Sequence, residues 1–85
     1  MPVIYQNKRT AILDCSNHLT NGLEEYSIVM WDKLLSLEMG WGMQLEDGSY
    51  EGFVMYGPHA LEVSGNDIVE FAVNTLAYHK WTLEH

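Results

Sequence analysis

Residues Asn21 to Glu38 read NGLEEYSIVMWDKLLSLE, and the conformation of this stretch decides how the rest of the chain is arranged. Asn21 followed by Glu24 has the spacing of a capping box, in which two side chains satisfy the free N–H groups of a helix start. Leu23, Tyr26, Met30, Leu34 and Leu37 then recur at helical intervals on one stripe. A second stripe of Ile28, Trp31 and Leu35 lies about a third of a turn away, so the predicted helix buries two sides. Gly40 stops it. Taken alone, Tyr26 to Trp31 (YSIVMW) reads as a strand, being rich in β-branched and aromatic residues, and only the cap and the period select helix.

On the N-terminal side, Val3-Ile4-Tyr5 and Ala11-Ile12-Leu13 are short β-prone runs separated by Gln6 to Thr10, a hairpin pattern. On the C-terminal side, Trp41 to Tyr56 reads as a second hairpin about Asp47-Gly48, a dipeptide that tolerates the positive φ of a tight turn. A two-residue turn there sets Leu45 against Tyr50, Met43 against Gly52 and Trp41 against Val54, with Phe53 covering the bare backbone of Gly42. Gly57-Pro58 breaks the chain, and Ala60 to Val63 reads as a short edge strand. Ser64-Gly-Asn-Asp67 launches a last helix to about Trp81, with Ile68, Val69, Ala72, Val73 and Leu76 as its core stripe and Phe71 and Tyr78 outside it. The expected fold is α+β, in the order β-β-α-β-β-(β)-α: a mainly antiparallel sheet packed against two helices. Residues 1–82 make a single domain, and Leu83-Glu84-His85 read as a vector-derived tail.

The 85 residues suffice for one small domain, and at 47% hydrophobic they describe a packed globule rather than a disordered chain. A domain of this size buries only about 60–65% of its unfolded surface, which favours pairing with a second copy. Twelve acids face four bases, for a formal net charge of -8. The bases are Lys8, Arg9, Lys33 and Lys80, while seven acids and no Lys or Arg lie between Leu34 and His79. Such a surface repels phosphate, so direct nucleic-acid binding is not expected. No run of apolar residues is long enough to span a membrane, and no signal peptide is apparent. The single cysteine, Cys15, excludes an internal disulfide and points to a reducing, cytoplasmic setting.

Several stretches imitate chemical motifs. Asp47 to Pro58 (DGSYEGFVMYGP) starts like a calcium loop, with Asp47, Ser49 and Glu51 at the first three ligand positions and Gly52 at the sixth. Its twelfth position is Pro58, which cannot supply the closing bidentate carboxylate, so a hairpin is the simpler reading. Cys15 and His18 stand three residues apart but lack the further ligands of a zinc site and the partners of a nucleophile, which makes Cys15 a buried hydrophobe. Gly40 to Met43 (GWGM) lacks the third glycine of a dinucleotide fingerprint. Glu46 and Glu51 flank a turn without any pocket motif. No metal site, cofactor or catalytic constellation is therefore expected.

Surfaces remain. Trp31, Phe53, Met55, Phe71 and Tyr78 exceed what two helices and a sheet need to bury, and aromatic and Met residues are enriched at protein interfaces. The expectation is a non-catalytic protein-interaction module acting as a homodimer, in an accessory or regulatory role. The alternative is an acidic inhibitor that mimics nucleic acid or docks on a basic protein partner through Glu46, Asp47, Glu51, Asp67 and Glu70. A small enzyme stands third.

Overall fold

The computed structural model describes residues 2–15 and 26–85. Six strands form one sheet in sequence order: β1 (Val3–Gln6), β2 (Thr10–Asp14), β3 (Ile28–Asp32), β4 (Leu37–Gln44), β5 (Tyr50–Tyr56) and β6 (His59–Gly65). Every neighbouring pair is antiparallel. One helix, α1 (Ile68–Glu84), follows and lies across one face, resting mainly on β5 and β6 and reaching β2, β3 and β4. The α+β class is as expected, with one described helix where two were predicted.

The predicted helix over Asn21–Glu38 is the correction. Ile28 to Asp32 is a strand, Lys33 to Ser36 is a turn, and Leu37 already belongs to the next strand. Ser36 closes that turn at φ 53, a left-handed conformation no helix interior contains. The Asn21 cap, Glu24 and Leu23 lie outside the described residues. What decides the conformation is the alternation Ile28, Met30, Asp32 on one side and Val29, Trp31 on the other. Ile28 and Met30 join the core under α1, and Asp32 bonds to the helix. A β-bulge opposite Met30 and Trp31 turns Met39, 1% exposed, into the same core.

The β1–β2 and β4–β5 hairpins form as the sequence predicts, but the second is offset by one residue. Gln44 pairs with Tyr50, Met43 with Glu51 and Trp41 with Phe53. The loop holds three residues rather than two: Gly48 N–H donates to Leu45 O at 3.0 Å, and Gly48 sits at φ 91. A type I turn followed by a glycine of positive φ is the usual three-residue solution.

The core lies between α1 and one sheet face: Ile12, Ile28, Met30, Met39, Val54, Val63, Phe71 and Ala72, with Tyr5, Tyr50, Ile68 and Leu76 at its margin. The expected helix stripe is rotated. Val69 and Val73 are 52% and 58% exposed, whereas Phe71, Ala72, Thr75 and His79 are buried. Phe71 turns inward because two glycines make room for it. A Cβ on Gly42 would meet the Phe71 ring at 3.0 Å, and one on Gly65 would meet its backbone nitrogen at 2.4 Å. The ring stacks on Tyr50 at 5.6 Å, so Phe71, not Phe53, covers Gly42. The helix continues through Leu83 and Glu84, and Tyr56 donates to the carbonyl of His85 at 2.8 Å.

Candidate functional site

The strands alternate, so the sheet has a second face that α1 does not touch. Trp31, Trp41, Met43, Phe53 and Met55 project there, because their neighbours Met30, Gly42 and Val54 face the helix. Trp31, Trp41, Met43 and Phe53 are half-buried and Met55 is 40% exposed. Among the described residues no helix or second sheet covers this face. Of the five aromatic and Met residues singled out in the sequence, it gathers three: Trp31, Phe53 and Met55. Tyr78 is exposed on the helix, beside β6. Phe71 is 0% exposed and belongs to the interior, so it offers no interface.

Beside the apolar face, along β5 and β6, lies a cleft of about 700 Å³ lined by Tyr26, Glu51, Phe53, Glu62, Asn74 and Tyr78 among others. Tyr26 and Phe53 meet edge to face at 5.4 Å and form its aromatic wall. Glu51 pairs with Ser64 and Phe53 with Glu62, which makes the two glutamates diagonal neighbours on one face. Neither has a hydrogen bond or ion pair among the described residues. Sequence reasoning singled out Glu51 but missed Glu62. The alternation of Ala60, Glu62 and Ser64 along an edge strand was the signal that could have found it.

The acidic residues read as one surface have separate duties. Asp47 accepts hydrogen bonds from the N–H and hydroxyl of Ser49, at 3.0 and 2.6 Å, and these hold its carboxyl below the usual range. Asp67 caps α1 by accepting from Glu70 N–H at 2.8 Å, and Glu70 reaches back to Asn66 N–H at 2.9 Å. Three of the five thus complete local structure, while Glu46 and Glu51 do not. The calcium-like stretch is a hairpin whose Asp47 stands in the turn and whose Glu51 stands in a strand. Among the described residues no three His, Cys, Asp or Glu side chains gather as metal ligands. Cys15 is buried, and burial, reinforced by the Asp14 charge, raises its thiol pKa; His18 lies outside the described residues.

A buried polar cluster lies at the other end of the helix. Asp32, fully buried, accepts from Arg9 Nε and Nη2 at 3.2 and 3.0 Å and from His79 Nε2 at 2.8 Å. It also accepts from the N–H groups of Leu34 and Leu35. Burial alone would raise this carboxyl. The Arg9 bonds, the Leu35 N–H, His79 and the Arg9 charge outweigh it and hold the pKa at about 2. The cluster ties α1 to β3 and to the β1–β2 turn, and no nucleophile is hydrogen-bonded to it. Its chemistry is that of a structural tie.

Compared with protein families, curated proteins and solved structures, the chain matches none. Among the described residues no helix is long and apolar enough to cross a membrane.

Proposed function

We propose that the protein is a non-catalytic interaction module that associates with a second copy through the helix-free face of its sheet. The observation that carries this reading is that, among the described residues, the sheet is covered on one side, with Trp31, Trp41, Phe53 and Met55 in one half-exposed array on the other. Aromatic and Met side chains of this kind are enriched where proteins meet. Two sheets pack face to face at about 10 Å, so two such faces can bury each other.

Charge favours a second copy as the occupant. All four Lys and Arg residues sit at one end of the strands: Lys8 and Arg9 in the β1–β2 turn, Lys33 in the β3–β4 turn and Lys80 late in α1. Glu46, Asp47, Asp67 and Glu70 sit at the opposite end, in the β4–β5 loop and at the start of α1. A two-fold pairing with antiparallel strands lays each basic end over the other copy's acidic end. Light scattering at micromolar concentration tests this. Twice the chain mass of 9.8 kDa is expected, and the chain mass alone overturns it.

A second reading, an acidic protein that occupies the nucleic-acid groove of a basic partner, draws support from the same gathering of acids at one end. It is the weaker one, because Asp47, Asp67 and Glu70 spend their carboxylates on local hydrogen bonds. A cytosolic setting belongs to either reading and rests on the single cysteine, Cys15, which is buried.

A further inference from the structure

We infer that the outer edge of β6 and the cleft beside it form a docking site for an extended, basic segment of a partner protein, added to the sheet as a further strand. The inference rests on the reading of the protein as an interaction module and names a surface and a partner class which that reading does not.

Three observations meet at this edge. The first is unpaired backbone. Among the described residues β6 pairs with β5 alone and ends the sheet. The carbonyl of Ser64 accepts from Asn74 Nδ2 at 2.8 Å and so is turned away from β5. Backbone groups alternate sides along a strand, which places the N–H and C=O of Ala60 and Glu62 on the outer side too. The helix side chain occupies one carbonyl at the far end of the edge and leaves these two residues as a template for strand addition.

The second is the charge beside that template. Glu51 and Glu62 line the cleft with no hydrogen bond or ion pair among the described residues, and no Lys or Arg occurs in the sequence from Leu34 to His79. A strand added at β6 directs alternate side chains onto the face that carries these carboxylates. Lysine or arginine there gains two charge pairs, with the Tyr26 and Phe53 rings beside its aliphatic stem.

The third concerns which strand can add. Glu62 is the midpoint of β6, which runs from His59 to Gly65. A two-fold antiparallel pairing centred there sets the two Glu62 carboxylates directly across from each other. Like charges opposite one another are destabilising. In that register a second copy is disfavoured at the edge, whereas a basic strand is favoured.

The probe is a short peptide of alternating valine and lysine, titrated into the isotope-labelled protein while backbone amide shifts are followed. Two control peptides replace lysine by glutamate or carry methyl groups on alternate backbone nitrogens. The expected result is saturable shifts centred on Ala60, Glu62, Glu51 and Phe53 with the lysine peptide, and none with either control. The double variant E51Q/E62Q should bind the lysine peptide roughly tenfold more weakly, as loss of two partly exposed charge pairs implies. Absence of shifts at β6 up to millimolar peptide overturns the inference and leaves the glutamates as guards against edge-to-edge aggregation. Equal binding of the methylated peptide overturns it as well, since the cleft then takes cations without adding a strand. The mass of the peptide-free protein reports on the dimer separately, so either reading can fail alone.

Discussion

Five hydrogen bonds converge on Asp32, and that single carboxylate joins a turn, a strand and the helix. Its folded pKa of about 2 lies below the ordinary 3.8. The ionised form is therefore the stabilising one: the contribution is complete above about pH 4 and is lost as pH falls through that value towards 2. Linkage puts it at about 2 kcal/mol, visible in urea titrations between pH 6 and 2. Asp32→Asn should remove that pH dependence and cost about 3 kcal/mol at pH 7, because it leaves the Arg9 and His79 donors without their charged partner. Phe71 is the matching apolar residue. Phe71→Ala should cost about 3–5 kcal/mol by emptying the hollow between Gly42 and Gly65. Asp67→Ala, which deletes a helix cap, should cost about 1 kcal/mol. This last result separates a cap from a free surface charge, whose neutralisation leaves the melting curve within about 0.5 kcal/mol.

At the scale of elements, the hairpins and the C-terminal helix are legible because their signals are local. Asp47-Gly48 marks the turn, and Asp67 with Glu70 marks the helix start. The Lys33–Ser36 turn is not legible, since neither Leu34 nor Leu35 belongs to the usual turn residues. Both are exposed, at 69% and 44%, where the helical stripes expected burial. Leu34 and Leu35 donate their N–H groups to Asp32, so the carboxylate at the end of β3 supplies the turn its chemistry. The helical period in this stretch is a by-product of apolar residues on both faces of β3 together with an apolar turn. The one-residue offset of the β4–β5 hairpin has a similar origin. Asp-Gly serves three-residue as well as two-residue loops, and the choice falls to the strands, which set Gly42, against the Phe71 ring, opposite Gly52. Likewise the rotation of the helix stripe depends on Gly42 and Gly65, two strands away from one another in the sequence. Replacing Gly42 with Val should therefore destabilise the fold by more than the loss of any exposed helix residue such as Val73, a difference measurable by thermal melting.

Across the whole molecule, the candidate site follows from the sheet face that, among the described residues, α1 leaves uncovered. Trp31, Phe53 and Met55 were legible as surplus apolar residues, but the helix expected to carry Trp31 is instead β3, a turn and the start of β4, which adds Trp31 to the sheet face that holds Phe53 and Met55. The polarity of charge was not legible, because it depends on which turns share an end of the sheet: the antiparallel meander puts Lys8, Arg9 and Lys33 at one end, and α1 carries Lys80 back towards it. That polarity predicts a dimer strengthened at low ionic strength, since screening acts over about 10 Å at 0.1 M salt. The apolar face predicts that Trp41→Glu yields a folded monomer, with an unchanged far-ultraviolet spectrum and half the solution mass of the parent. The most direct test of the central claim is an isotope-filtered nuclear Overhauser measurement on a mixture of labelled and unlabelled copies. Intermolecular cross-peaks joining the Trp31 and Trp41 indoles to Phe53 and Met55 of the other copy are the predicted result. Cross-peaks confined to Val69, Val73 and Tyr78 on the helix, or none at millimolar protein, contradict it.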